Sequence, residues 1–171
     1  QMEPPSFPVP FDALRARFEF VQLAPGVRHE VAGMTVTTLL QRHTGDSYGY
    51  RFEQDGRTVV YTTDSEHTLA GPAETQAFVE FFRGADLVVF PELSLTGYFL
   101  RDMVPEVALH RSSLEIAQLI EAASPMAIVA GFVEEAPGHQ FFNAAFYAEA
   151  GRLLHVHRKV YLPTYGLFEE Q

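Results

Sequence analysis

One short stretch constrains the fold more tightly than the rest of the chain. From Ala85 to Tyr98 the sequence reads Ala-Asp-Leu-Val-Val-Phe-Pro-Glu-Leu-Ser-Leu-Thr-Gly-Tyr. Leu87 to Phe90 is an unbroken apolar run of the length that makes a strand buried on both faces. Pro91 has no amide hydrogen for a further ladder bond, so the strand must stop there. The residue delivered at its carboxyl end is Glu92, and open α/β sheets place their ligands at that edge. The segment therefore predicts an α/β fold and makes Glu92 the first candidate for chemistry.

The remaining elements follow from periodicity and turn residues. Residues 1 to 12 carry Pro4, Pro5, Pro8 and Pro10, which favour an extended lead-in. Phe18 and Phe20 alternate with Glu19 and Val21 as in a strand, Pro25-Gly26 marks a turn, and Val31 to Leu40 is rich in β-branched residues. Tyr48 to Glu53 and Arg57 to Thr62 read as a hairpin across Asp55-Gly56, completing a β-meander. Gly71-Pro72 opens a helix with Ala77, Phe78, Phe81 and Phe82 on one face, and Gly84 ends it. Pro105 to about Ala123 has the amphipathic pattern of a single long helix, with Leu109, Ile116, Leu119 and Ile120 inward. Met126 to Val133 reads as a buried strand, Glu134 to His139 as a loop, and Phe142 to Ala148 and Arg152 to Val160 as strands joined at Ala150-Gly151.

Composition excludes several classes of function. A net charge of -10 argues against a nucleic-acid or anionic-membrane partner, since both need clustered Lys and Arg. No run is long and apolar enough to span a bilayer, and the amino terminus lacks the basic and apolar regions of a leader, so a cytoplasmic location is expected. With 15 Phe and 7 Tyr in 171 residues, the chain can bury a real core. It contains no cysteine, which removes disulfides, thiolate metal sites and thiol nucleophiles together.

The Glu92 segment, with His157-Arg-Lys-Val-Tyr-Leu-Pro-Thr-Tyr-Gly-Leu-Phe-Glu-Glu170, resembles the carbon–nitrogen hydrolase (nitrilase) superfamily over about residues 84 to 171. It is most similar to the branch holding the glutaminase domains of glutamine-dependent NAD synthetases. The resemblance implies that Glu92 is a general base and Lys159 stabilises an oxyanion, with Glu170 matching a second, positioning glutamate. It also implies a small-molecule amide substrate, no required cofactor and a homo-oligomer. The family's nucleophilic cysteine has no counterpart here, so the amide hydrolysis that runs through Glu, Lys and Cys is not expected of this chain.

The first half resembles a different family. Phe7-Pro-Val-Pro, Arg42-His-Thr-Gly-Asp-Ser-Tyr-Gly-Tyr-Arg-Phe-Glu53 and Val59-Val-Tyr-Thr-Thr-Asp64 are similar to the middle of a metallo-β-lactamase-fold hydrolase. That resemblance implies His43 and Asp64 as metal ligands, with His67 as a third candidate, for zinc, manganese or iron in a hydrolase of phosphodiesters or lactones. The family's His-x-His-x-Asp-His signature does not occur in the chain. The two resemblances meet at Gly84-Ala-Asp-Leu87, where both patterns run from a helix into a strand. The expectation is a chimera, natural or engineered, with each parent cut at both ends. Residues 1–83 and 84–171 would be half-domains packed as one layered α-β-β-α sandwich of mixed sheets. A single diverged family carrying both patterns is the alternative, and a non-catalytic, self-assembling chain is a third reading.

Each candidate also has a plain structural explanation. Glu92 and Lys159 have the composition of a buried ion pair, and Glu170 that of a solvated carboxylate near a chain end. Ser94 and Thr96 are hydroxyls near Glu92, but an alkoxide is far harder to form than a thiolate. His155 and His157 lie two apart on one strand face, which without a third ligand favours a surface pair over a metal site. Tyr98 and Phe99 are expected to wall a pocket or fill the core, and Asn143, in Phe-Phe-Asn-Ala-Ala, resembles a position of the carbon–nitrogen hydrolases that implies a part in holding the core near the site.

Overall fold

The structure, a computed structural model, describes residues 13–66 and 72–162. Eight strands form one mixed sheet in simple sequence order: β1 (Arg28–Val31), β2 (Met34–Gln41), β3 (Ser47–Gln54), β4 (Arg57–Tyr61), β5 (Leu87–Val89), β6 (Ala127–Ala136), β7 (Gln140–Glu149) and β8 (Arg152–Arg158). The strands β4, β5 and β6 are parallel and the other neighbours antiparallel. The parallel pairs need crossovers, supplied by α1 (Pro72–Phe82) and by α2 (Val104–Val107) with α3 (Leu114–Ala123). The sheet is continuous across residue 84, since Val59, Val60 and Tyr61 of β4 pair with Leu87, Val88 and Val89.

Both crossovers cover the same face. Ile116 and Ile120 of α3 pack on Ile128, Ala130, Phe132 and Phe146, while Phe81 and Phe82 of α1 pack on Val60 and Val88. Val60, Val88 and Ile128 are register partners and so point to one side. Phe90 joins the two clusters, its ring 5.9 Å from that of Phe82. Among the described residues there is one sheet with helices on one face. Leu87, Val89 and Val129 point to the other, and each is partly exposed there.

Several expectations are corrected. The Phe18–Gln22 segment pairs with no strand of the sheet, and Phe18 and Phe20 stack with ring centroids 6.5 Å apart instead. The β-branched run from Val31 to Leu40 is not one strand, because Ala32 and Gly33 turn back at φ 51° and 81°. Glycine suits that left-handed position, and the turn makes β1 and β2 a hairpin. The helix expected from Pro105 to Ala123 is broken. Leu109 is claimed by the sheet, with its amide on the Val133 carbonyl at 2.9 Å and the Glu135 amide on its carbonyl at 3.0 Å. The helix restarts at Leu114 behind Ser113, whose side chain accepts from the Ile116 amide. Finally, β6 runs through Glu134 to Ala136, where a loop was expected.

Candidate functional site

Glu92 is set by the way the chain leaves β5. After the Phe90 amide bonds the Val129 carbonyl at 2.9 Å, Pro91 ends the ladder and the chain folds back over β6. The loop's own polar groups replace the missing strand. The Leu95 amide bonds the Gly131 carbonyl at 3.0 Å, the Gly131 amide donates to Ser94 Oγ at 3.2 Å, and the Val133 amide donates to Thr96 Oγ1 at 3.2 Å. Ser94 and Thr96 thus fasten the loop to the backbone of β6. The loop lies so close that a Cβ on residue 131 would sit 2.4 Å from the Leu93 nitrogen and 2.7 Å from the Pro91 oxygen. Only glycine admits that approach.

Three donors converge on the Glu92 carboxylate. Lys159 Nζ donates to Oε1 at 2.6 Å, Asn143 Nδ2 to the same oxygen at 2.7 Å, and the Tyr98 hydroxyl to Oε2 at 2.5 Å. Val133 and Asn143 are register partners, and the Lys159 amide continues the row onto the Asn143 carbonyl at 2.8 Å. Neighbouring strands therefore bring two side chains, 51 and 67 positions beyond Glu92, to one point. Burial pushes the Glu92 pKa up, but the hydrogen bonds from Lys159, Tyr98 and Asn143 and the lysine charge outweigh it, so the group titrates below its ordinary 4.5. Glu92 is ionised at neutral pH.

The pair lines a cleft of about 610 Å³ with Gly131, Asn143, His157 and Tyr161. Glu92 is 40% exposed and Lys159 30%, so a small molecule in the cleft can reach both. His155 and His157 share a face of β8 as expected, their rings 6.2 Å apart.

The metal candidates lie on the segments that follow β2 and β4, which meet where the Glu66 amide bonds the Arg42 carbonyl at 2.8 Å. His43 Nδ1 lies 3.4 Å from Glu66 Oε1, Asp64 is exposed, and His67 lies outside the described residues. Among the described residues no group of three His, Asp or Glu side chains is placed to hold a metal ion. Glu170 also lies outside the described residues. Sequence reasoning missed the direct bonds of Asn143 and Tyr98 to Glu92. It also missed Glu134, which is 1% exposed and takes Arg111 Nη2 at 2.5 Å and Arg158 Nε at 2.6 Å. Two acids in succession after a buried strand look like a loop, and only the distant arginines show otherwise.

The family model for carbon–nitrogen hydrolases matches residues 57–170, more than half of the chain. The chain belongs to the carbon–nitrogen hydrolase family. The match begins on β4 and so runs across Gly84. Among similar proteins, a glutamine-dependent NAD(+) synthetase from Thermotoga maritima is 34% identical over 92 residues, covering 52% of this chain and 16% of the relative. One from Mycobacterium bovis is 33% identical over 131 residues, covering 71% of this chain and 19% of the relative. The chain thus spans less than a fifth of the length of either. A metallo-β-lactamase fold protein from Bacillus subtilis is similar in structure over 40% of this chain and 26% of its own, at 28% identity and a TM-score of 0.34. No helix among the described residues is long and apolar enough to cross a membrane.

Proposed function

We propose that the cleft is the amide-binding half of a carbon–nitrogen hydrolase site of the glutaminase type, with a small-molecule amide as its ligand. The observation that carries this reading is the Glu92 carboxylate held by Lys159 at 2.6 Å in an open cleft of a carbon–nitrogen hydrolase chain. An ionised carboxylate is the form that can take a proton from a nucleophile, and an ammonium beside it can stabilise negative charge developing on a carbonyl oxygen. Glu92, which titrates below 4.5, is in the required state at neutral pH. The step they would serve needs a nucleophile between them, and the sequence holds no cysteine. The chain therefore binds an amide without turning it over. The test is ammonia release from glutamine or a simple amide by the pure protein. No release above buffer is expected; time-dependent release that disappears in Glu92→Gln would overturn the inactive reading.

The sheet face opposite the helices carries Leu87, Val89, Val129 and Tyr61, the last 41% exposed. An apolar sheet face of this kind is normally covered. We read it as the inner face of the second layer of an α-β-β-α sandwich, completed in a homo-oligomer in the cytoplasm. A monodisperse monomer by light scattering counts against that assembly. The descent of the first strands from a metallo-β-lactamase-fold hydrolase is likewise a proposal, now with Arg57 as the start of the family-matched segment. Carbon–nitrogen hydrolases that carry the same β1–β3 strands would remove the need for a chimera. Stoichiometric metal in the pure protein, lost in Asp64→Ala, would support the metal reading for His43, Asp64 and His67, and metal-free protein would dismiss it.

A further inference from the structure

Glu134 is the only acid among the buried described residues, and nothing in the proposed amide chemistry uses it. It sits on β6 beneath the helices, on the face opposite Glu92 and Lys159. Its two oxygens are divided between two elements. Oε1 accepts from Arg111 Nε at 3.0 Å and Nη2 at 2.5 Å, on the segment between α2 and α3; Oε2 accepts from Arg158 Nε at 2.6 Å, on the last residue of β8. Phe142, the register partner of Glu134 on β7, lies under the Arg158 guanidinium at 3.9 Å from its ring centroid.

A buried ion pair is a poor device for stability, since apolar residues of similar volume do as well or better. A carboxylate placed there is better explained by what it positions. The strand β8 is an edge of the sheet, and strand ends at an edge are where pairing opens first. Arg158 is the final residue of that strand, and the next residue is Lys159. The lysine backbone is fixed at one point by its amide on the Asn143 carbonyl, and Arg158, pointing through the opposite face, supplies a second anchor on the rigid centre of the sheet.

We propose that Glu134, acting through Arg158, is a positioning residue for Lys159: it locks the end of β8 from the helix side so that the amine on the cleft side meets Glu92. This rests on the reading of Glu92 and Lys159 as a functional pair, and it adds a second layer of residues that sets their geometry. Glu134 touches neither the ligand nor the cleft. Its effect passes through the backbone of residues 158 and 159.

The test follows the Glu92 carboxyl by carbon-detected NMR as a function of pH in the full chain. In the wild type the midpoint is depressed, and Lys159→Met raises it. Arg158→Met keeps an unbranched side chain but loses the bond to Glu134 and the guanidinium over Phe142, and it is expected to raise the Glu92 midpoint by about 0.5–1 pH unit, part of the shift an adjacent cation gives a carboxylate. Arg158→Lys restores most of the depression. Arg57→Met, which removes the ion pair with Asp86 at 2.8 Å, leaves the midpoint where it was. An unchanged midpoint in Arg158→Met, or an equal rise in Arg57→Met, overturns the positioning role while leaving the pair itself intact. A wild-type midpoint that is ordinary and indifferent to Lys159→Met overturns both.

Discussion

Replacing Gly131 with alanine tests whether the close approach of the Glu92 loop to β6 is real. The backbone at residue 131 is ordinary strand, so alanine carries no conformational penalty there and by itself would favour the strand by about 0.5–1 kcal/mol. The cost comes from contact. The added carbon would lie 2.4 Å from the Leu93 nitrogen, 2.7 Å from the Pro91 oxygen and 2.9 Å from the Glu92 carbonyl carbon, all backbone atoms, whereas ordinary contact begins near 3.4 Å. The loop must therefore lift by about 1 Å, which overpacking studies place at about 1–3 kcal/mol. The same displacement stretches the 2.6 Å contact of Lys159 with Oε1 beyond hydrogen-bonding range. Thermal melting followed by circular dichroism should show a loss of about 2–10 °C for a chain of this size. The Glu92 carboxyl should lose part of its depressed titration in the same variant. A Gly131→Ala protein that melts at or above the wild-type temperature, with Glu92 unchanged, would refute the account of how the loop is seated.

Two further outcomes follow from the packing and the charges. Glu92 and Glu134 both titrate below 4.5 in the folded protein, because burial, which raises them, is outweighed by hydrogen bonds and by positive neighbours. A depressed folded value means that their contribution is fully present above the unfolded value near 4.5 and is lost as pH falls through the folded values. The urea midpoint should thus be flat from pH 7 to about 5 and fall below 4.5, with a shallower acid limb in Glu134→Gln; an acid limb identical in that variant would contradict it. Ser113→Ala removes the cap that starts α3 and should cost about 0.5–1 kcal/mol by urea denaturation, the low end of the range because its bond to the Ile116 amide is 3.5 Å long. No loss would mean that α3 is started by packing alone.

Local signals carried much of this architecture. The Leu87–Val89 strand, the Asp55-Gly56 hairpin, α1 and the final hairpin are legible because each rests on its own residues. The Glu92 and Lys159 pair was legible by family likeness, and its supporting geometry was not. What stayed hidden depends on distant partners. The long amphipathic pattern after Pro105 is a sound helix signal, yet the Leu109 backbone gains more by pairing with β6, and Ser113 then restarts the helix. Glu134 reads as a loop residue until Arg111 and Arg158 are placed beside it. Alternation at Phe18 and Phe20 predicts a strand only if a neighbouring strand accepts it, and none of the eight does. The turn at Ala32-Gly33 is masked by the β-branched residues on either side.

The most direct test of the central claim is the titration of the Glu92 carboxyl in the wild type and in Lys159→Met. The arrangement described here predicts a midpoint below 4.5 in the wild type and a rise when the amine is removed. A wild-type carboxyl that titrates at the ordinary glutamate value, and does so regardless of residue 159, would show that the two groups do not form a site.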